Sequence, residues 1–464
     1  GNGDNGAAAS EFPLIYYLVA QLWKIFGKHE YIFRLLNLSI VYTGLFFLFR
    51  FIEEKLKDSF WGIVITLLVF TSPILVYYSN GFLMDPLGLS FAFIAWYYFG
   101  KFYVSGNNNI LYLSLLFFML GGLFKVSSLI SYFALLAVFV MEGLGFSFKE
   151  SGKIFVSKKL QIIPFILASL VIYLWYSYAK DYNDKNGSGV FLVGILPIWN
   201  FNASAILARI EVFSGATTLH QFFNMETLCL VLVLFLFQIP FYKKSIRYLF
   251  WVNIFLFFAV IAFLLLWFGA ITENHDYYLT NLLIFVAITL ISFFVLMKNV
   301  FPKLFSSIWL KIAFTLILVY NVQLTSVKTA VRYFNTKDEN FPSCYTTEDI
   351  SMLKWTKYDF NVCRKNLITI SPYLRSLGIM PDDKVISLPD VSFDITLYLM
   401  NQRGWSQSGA PTPLTEEWFT EKINRGAKYL IVNNPDIYKD AAMSKFTRRK
   451  LGVYKNIDIY DLRN

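Results

Sequence analysis

The sequence is poor in the residues from which metal clusters and many catalytic sites are built. Its 464 residues include three cysteines and three histidines. No Cys/His cluster has the spacing of a zinc finger, and the sequence contains neither a Gly-x-x-x-x-Gly-Lys phosphate loop nor a Gly-x-Ser-x-Gly elbow. The usual signatures of ATP-driven transport and of serine hydrolysis are therefore missing.

Charged residues are also scarce, at 16% of the chain, whereas 56% of the residues are hydrophobic and 19% are aromatic. The mean hydropathy of +0.51 is higher than a soluble domain of this length needs. The composition therefore predicts a polytopic α-helical membrane protein. The net charge of +10 does not indicate nucleic-acid binding, because many Lys and Arg residues lie in short loops between apolar segments, where they set orientation.

Apolar stretches that are long enough, or nearly so, to cross ~30 Å of hydrocarbon recur along the chain. They lie at about 31–51, 60–78, 84–104, 110–124, 126–146, 161–178, 226–242, 248–270, 279–297 and 306–325. The sequence therefore predicts about ten transmembrane helices.

Three basic loops determine the predicted orientation. They are Lys149 to Lys159, Lys243 to Arg247 and Lys298 to Lys303. Alternating spans put all three loops on one side, which the positive-inside rule makes cytoplasmic. The N-terminal tail, a long 179–225 loop and everything after Lys328 then lie outside.

The composition divides the chain into three parts. Residues 1–30 are predicted to be an external loop with an interfacial helix, since segment 12–27 is short and rich in Tyr and Trp. A tilted span is the alternative for that segment. Because the chain begins at Gly1 in a loop-like Gly/Asn/Ala run, we expect a further span upstream. Residues 31–328 form the transmembrane domain, and residues 329–464 form a soluble domain.

The soluble domain is predicted to be an α/β domain of ~130 residues. Buried strands are expected at 384–388 and 429–433, helices at 391–401 and 415–425, and a closing hairpin at 451–455 and 457–461. Cys344 and Cys363 both fall in this exported part. They form either a disulfide or two separate thiols, because spacing alone does not determine the geometry.

The polar residues that a lipid-soluble segment should not tolerate all fall on the predicted outer face. They are Glu11, Asp85, Lys125 and His275. Ionisable groups at the edge of hydrocarbon are costly and mark sites or ion paths. Residues of both signs on one side therefore indicate a polar pocket.

Three of these residues also have a purely structural interpretation. Asp85 with Pro86 is the expected start of a helix. Lys125 would be a snorkelling anchor, and His275 would belong to a solvated interfacial loop. The functional alternatives are a metal or hydroxyl ligand at Asp85, a phosphate contact at Lys125 and a lipid-phosphate head-group contact at His275.

Several short motifs follow one another along the chain. They are Glu11-Phe-Pro-Leu-Ile-Tyr-Tyr17, Phe26-Gly27, Arg34-Leu-Leu36, Met84-Asp-Pro86, Gly122-Leu-Phe-Lys125 and His275-Asp-Tyr-Tyr278. In this order they resemble a known family, the GT-C glycosyltransferases of the protein O-mannosyltransferase and aminoarabinose transferase type. The tail is similar to bacterial members in Leu397 to Trp405 and Gly426 to Ile431. The resemblance runs over most of the membrane part, and it implies a GT-C-like fold in the bacterial inner membrane with a periplasmic C-terminal domain.

The resemblance also implies an activity. A sugar would move from a polyprenyl-phosphate donor to a protein, lipid or glycan acceptor at the outer face, with inversion. Asp85 and Glu11 would be the catalytic carboxylates. The leaving lipid phosphate would be held by Lys125, His275, Tyr277, Tyr278 and Arg34. The activated donor makes ATP unnecessary, and participation of a divalent metal is left open.

The chain departs from the family at one point. The family's catalytic Asp precedes the Glu-x-Pro stretch, but the one carboxylate upstream of Glu11 is Asp4, whose Gly/Asn-rich context does not match. Asp4 is therefore not assigned as the base. A noncatalytic relative, a structural subunit of an envelope complex and a transporter remain alternatives, although the charges lie at the outer edge and no internal repeat supports transport.

Overall fold

The computed structural model of the protein describes residues 8–150, 152–188, 191–192, 194–214, 219–272, 275–333, 345–390, 392, 394–408 and 410–463. Asp4 and Cys344 lie outside these ranges, so both alternatives for Cys344 and Cys363, a disulfide or two separate thiols, stay predictions. The described chain folds into a helical membrane part followed by a small domain with one β-sheet.

The membrane part is built from helices throughout. They are α1 (Leu14–Phe26), α2 (Glu30–Leu56), α3 (Ser59–Phe70), α4 (Pro73–Ser79), α5 (Asp85–Ser105), α6 (Asn108–Phe124), α7 (Leu129–Gly143), α8 (Lys158–Asn186), α9 (Ala203–Ser214), α10 (Leu219–Phe222), α11 (Met225–Gln238), α12 (Arg247–Leu266), α13 (Phe268–Ile271), α14 (Leu283–Val300), α15 (Pro302–Phe305) and α16 (Ile308–Arg332). All ten predicted apolar stretches are thus helical, and the polytopic α-helical architecture is confirmed.

When helices are counted by length and composition, fewer of them could span a membrane than the predicted ten. Six helices of the described part are long and apolar enough to cross a membrane, and the number rises to eight if each of two bent helix pairs counts as one span. In one bent pair, α3 and α4 meet at 80°, and Pro73 stands at the start of the second helix. Pro164 lies inside α8, which continues through it.

The centre of the bundle is α14, whose span is completely buried. It packs against α2, α3, α5, α11 and α12. Every residue from Leu283 to Met297 is buried, which explains why its apolar sequence shows no amphipathic period. The bundle therefore has one continuous core that encloses this helix.

The region predicted as a long 179–225 loop contains helices instead. Helix α8 continues to Asn186, and α9 and α10 follow it. The polar end of α8 is supported by ion pairs one turn apart, Lys180 with Asp184 at 2.9 Å and Lys185 with Asp181 at 2.6 Å. Such pairs stabilise a solvent-exposed helix. Helix α8 therefore continues beyond residue 178, where its apolar stretch ends.

The C-terminal domain has a five-stranded sheet with helices on both faces. Its strands are β1 (Lys384–Leu388), β2 (Arg403–Trp405), β3 (Ala427–Val432), β4 (Lys450–Tyr454) and β5 (Ile457–Asp461), and its helices are α17 (Thr347–Asp359), α18 (Ser371–Ser376), α19 (Ile395–Met400), α20 (Glu416–Asn424) and α21 (Met443–Phe446). The strand order is β2-β1-β3-β5-β4. Strand β1 is parallel to β2 and β3, and the predicted hairpin is the antiparallel pair β4 and β5.

Polar side-chain contacts join this domain to the membrane part. Lys328 in α16 donates to Asp349 in α17 at 2.7 Å, and both side chains are buried. The Tyr398 hydroxyl donates to Glu30 at the start of α2 at 3.0 Å. The sheet domain therefore sits at the end of the bundle where α2 begins and α16 ends.

Candidate functional site

Lys125 lies at the centre of a polar cluster inside one end of the bundle. It follows the last residue of α6 in an extended conformation, with φ −154° and ψ 121°, before a short turn leads into α7. This backbone directs the side chain into the bundle, where the residue is 7% exposed. Lys125 does not snorkel outward, so the anchor interpretation is wrong.

Two carboxylates face the Lys125 ammonium. Its Nζ lies 3.1 Å from Asp85 Oδ2 and 3.3 Å from Glu11 Oε1. Asp85 is completely buried, whereas the Glu11 side chain is 19% exposed and also accepts a hydrogen bond from the Ser10 hydroxyl. Glu11 is therefore the carboxylate that solvent or a substrate can reach.

Asp85 is the first residue of α5 but does not cap it. The residue before it, Met84, makes no side-chain capping bond, and Asp85 Oδ1 has no hydrogen-bond partner among the described residues. A buried carboxylate is stable only when it is paired. Its role as observed is therefore to pair with Lys125, while Pro86 supplies the helix start.

Two tyrosine rings cover the same ammonium. Lys125 Nζ lies 5.2 Å from the centroid of the Tyr277 ring and 5.0 Å from that of Tyr278. Both distances fit a cation–π interaction. We call Glu11, Asp85, Lys125, Tyr277 and Tyr278 the Lys125 cluster.

Backbone contacts hold the segment that carries Glu11 in place. The Phe12 amide donates to the carbonyl of Leu123 at 3.0 Å, and the Trp175 indole donates to the carbonyl of Ser10 at 3.2 Å. The Tyr176 hydroxyl donates to the carbonyl of Gly122 at 3.0 Å. The C-terminal end of α6 and the middle of α8 thus hold this segment beside the cluster.

Gly88 allows α5 to approach Lys125. A Cβ atom at this position would lie 3.2 Å from the Cβ atoms of both Lys125 and Ser128, which is tighter than ordinary van der Waals contact. Small residues permit such close helix approach in membrane proteins. The absence of a side chain at Gly88 therefore helps Asp85, one turn earlier, to reach the ammonium.

The two other residues predicted to hold the phosphate, His275 and Arg34, lie outside the Lys125 cluster. His275 is exposed, and its ring packs against Tyr277 with a centroid distance of 5.5 Å, so it borders the cluster. Arg34 donates to the carbonyl of Asn80 at 2.9 Å and stacks on Phe82 at 4.7 Å. Its guanidinium therefore supports the hairpin between α4 and α5.

A second buried ion pair next to the cluster was not predicted from the sequence. Arg332, the last residue of α16, pairs with Asp276, and the Tyr78 hydroxyl donates to Asp276 Oδ1 at 2.6 Å. Arg332 also donates to Gln221 at 3.2 Å. In the sequence, Asp276 stands out only as part of the His275-Asp-Tyr-Tyr278 motif, and no sequence signal connects it to Arg332.

The cluster combines side chains of both charge types. Glu11 and Asp85 contribute two carboxylates, and Lys125 contributes one ammonium. An accessible carboxylate beside a fixed cation is an arrangement that can accept a proton and stabilise an anion. Within the described residues, no group of three or more His, Cys, Asp or Glu side chains is placed to hold a metal ion.

The fold, but not the sequence, matches known proteins. No protein-family model matches the chain, and neither does the sequence of any curated protein. Crystal structures of ArnT from Cupriavidus metallidurans, in the apo state and bound to undecaprenyl phosphate, match it with a TM-score of 0.54 at 10% identity. The matches cover 98% of this chain and 88% of ArnT.

The oligosaccharyltransferase from Archaeoglobus fulgidus, in complex with Zn and sulfate, has a TM-score of 0.49 at 12% identity over 90% of this chain and 59% of that chain. The ArnT match shows that this chain has the GT-C fold. The resemblance found in the sequence is thus confirmed at the level of the fold.

Proposed function

We propose that this protein is an integral-membrane glycosyltransferase that moves a sugar from a polyprenyl-phosphate donor to an acceptor at the outer face, with inversion. The observation that carries the proposal is a buried Lys–carboxylate cluster at one end of a bundle with the fold of ArnT, a protein whose structure has been solved with undecaprenyl phosphate bound. The protein would lie in a bacterial inner membrane with its sheet domain in the periplasm.

Lys125 is proposed to contact the donor phosphate. The leaving polyprenyl phosphate gains negative charge as the bond from its oxygen to the anomeric carbon breaks, and a fixed ammonium stabilises that charge without reorganisation. The Tyr277 and Tyr278 rings lie against the ammonium, and their hydroxyls are proposed to donate to the same phosphate. Exposed His275 would contact the phosphate at the entrance to the cluster.

Glu11 is proposed as the carboxylate that acts on the acceptor. It is the more exposed of the two acids, and a general base must come within hydrogen-bond reach of the proton that it removes. Asp85 is too buried to reach an acceptor hydroxyl. We therefore assign Asp85 as a positioning residue that holds the Lys125 ammonium, and Arg34 as a residue that supports the neighbouring hairpin.

The proposal is tested by donor binding followed by transfer. Purified protein is titrated with undecaprenyl phosphate, and bound lipid is counted by native mass spectrometry. The test variant is the double substitution Lys125→Met with Asp85→Asn, which removes the cation without leaving a buried carboxylate unpaired. A lost charge-assisted hydrogen bond is worth ~1.5–3 kcal/mol, so we expect binding at least about tenfold weaker.

The matched control is Lys180→Met, an exposed lysine on α8 that pairs with Asp184. It should bind undecaprenyl phosphate as the unmodified protein does. Equal binding by the test variant and the control would reject the role of Lys125. Lipid binding without sugar transfer to any protein, lipid or glycan acceptor would instead identify a noncatalytic relative.

A further inference from the structure

A cavity lies at the opposite end of the bundle from the Lys125 cluster. It encloses about 290 Å³ and lies between the end of α7, the start of α12 and the loops beside them. Helix α12 has 20 residues, which corresponds to ~30 Å, the thickness of the hydrocarbon core. The positive-inside rule makes this end cytoplasmic, so the cavity lies at the level of the inner leaflet head groups.

The walls of this cavity are largely aromatic. Phe146, Phe148, Tyr242 and Trp251 line it. The Phe148 and Trp251 rings pack edge to face with centroids 6.1 Å apart. Phe148 is buried, whereas Phe146 is 54% exposed and Tyr242 is 44% exposed, so the apolar wall continues from the interior of the bundle to its surface.

Two cations stand at the mouth of the cavity, and no carboxylate lines it. They are Lys243 and Arg247, and neither has a carboxylate partner in the described parts of the chain. The Lys243 ammonium lies over the Tyr242 ring at 5.7 Å, and Arg247 donates to the carbonyl of Lys149 at 3.5 Å. Among the described residues, the site therefore offers two positive charges without a carboxylate partner.

The start of α12 adds a third attraction for an anion. Arg247 is its first residue, and Ile246 before it supplies no side-chain cap. The first amide N–H groups of a helix attract negative charge when no side chain satisfies them. The helix N-terminus and the two basic side chains thus point to the same ligand chemistry.

We propose that this cavity is a binding site for an anionic phospholipid of the cytoplasmic leaflet. The phosphodiester would lie between Lys243 and Arg247 at the start of α12, and an acyl chain would follow the aromatic wall past Phe146. Basic pockets between transmembrane helices on the cytoplasmic side have the chemistry that recognises acidic head groups. The site is independent of the donor and acceptor chemistry proposed for the other end of the bundle.

The proposal is tested with phosphatidylglycerol and phosphatidylcholine of the same acyl length in detergent solution, with bound lipid measured by native mass spectrometry. We expect saturable binding of phosphatidylglycerol and much weaker binding of phosphatidylcholine. Each basic residue near an anionic lipid contributes about a fivefold gain in affinity, so Lys243→Gln with Arg247→Gln should weaken phosphatidylglycerol binding roughly thirtyfold.

The matched control is Lys159→Gln with Lys303→Gln, which removes two exposed charges near the starts of α8 and α15, on the same side, without touching the cavity. It should bind phosphatidylglycerol as tightly as the unmodified protein. Equal loss in the control, or no loss in the test variant, would overturn the proposal.

A competition experiment distinguishes binding of a lipid from binding of a free anion. Inorganic phosphate at millimolar concentration should not displace phosphatidylglycerol, because it cannot use the aromatic wall. Phe146→Ser should weaken lipid binding while leaving both cations in place. Full displacement by inorganic phosphate would assign the cavity to a soluble anion and overturn the lipid assignment.

Discussion

Asp276 and Arg332 form a buried ion pair that ties the end of α16 to the turn carrying Tyr277 and Tyr278. The Tyr78 hydroxyl completes the pair by donating to Asp276. Because α16 leads into the sheet domain, this pair connects three parts of the chain next to the Lys125 cluster. Its geometry fixes the position of the two tyrosine rings over the ammonium.

Replacing Arg332 with Met should destabilise the protein strongly. The change leaves the Asp276 carboxylate buried and unpaired, which costs about 3–5 kcal/mol. The shift in melting temperature in detergent measures this effect. Lys180→Met, which breaks an exposed pair with Asp184, is the control and should cost about 0–1 kcal/mol. Similar melting temperatures for the two variants would contradict a structural role for the buried pair.

Substitutions at Lys125 and Asp85 should separate stability from function. Lys125→Met alone leaves Asp85 as a buried unpaired charge and should lower the melting temperature, again by about 3–5 kcal/mol of stability. Adding Asp85→Asn should recover most of that stability without recovering sugar transfer. A double variant that regains transfer together with stability would show that Lys125 acts through folding alone.

Glu11→Gln should abolish most turnover while leaving donor binding intact. A positioned general base contributes about 10²–10⁴-fold to rate, and the amide cannot accept the acceptor's proton. Single-turnover transfer from a polyprenyl-phosphate sugar gives the rate, and lipid binding is measured on the same preparation. Glu417→Gln, at an exposed position in α20, is the control. Normal turnover by Glu11→Gln would place the base elsewhere.

Gly404→Ala should unfold the edge of the sheet. Gly404 in β2 has φ +150°, and a Cβ atom there would lie 1.8 Å from the carbonyl oxygen of Val385 in β1. Backbone atoms cannot move away without breaking the pairing of these strands. The control is Gly378→Ala, with φ +78° and no atom within 4 Å, which should cost only about 1–2 kcal/mol of backbone strain.

Hydrogen exchange at the β1 amides distinguishes these two alanine variants. We expect fast exchange in Gly404→Ala and protection in Gly378→Ala. Protected β1 amides in both variants would show that the sheet tolerates the added atom by shifting, and the close packing of β1 and β2 would then be unimportant for stability.

Long apolar runs and strand patterns allowed most of the fold to be predicted from the sequence. Residues 384–388 form the predicted strand, whereas the 80° bend at Pro73 divides the predicted 60–78 span into α3 and α4. Strand β2 was missed because its three residues are too few for an alternating pattern. Helix α8 was predicted too short because its end is stabilised by ion pairs and not by hydrophobicity.

The site was only partly predictable, since it depends on contacts between distant segments. Charged residues are rare in or beside apolar stretches. Lys125, Glu11 and Asp85 could therefore be identified as candidate site residues from the sequence. Nothing in the sequence pairs Asp276 with Arg332, 56 positions away. The different burial of Glu11 and Asp85 could not be predicted from the sequence either, because burial at the end of a helix bundle depends on the neighbouring helices.

The most direct test of the proposed function is a cryo-electron microscopy map of the protein purified with undecaprenyl phosphate. The phosphate should lie within hydrogen-bond distance of Lys125 Nζ, next to Tyr277 and Tyr278, with the isoprenoid tail running along the helices. A map without lipid, in which Lys125 remains paired only with Glu11 and Asp85, or a phosphate bound away from the cluster, would contradict the proposed function.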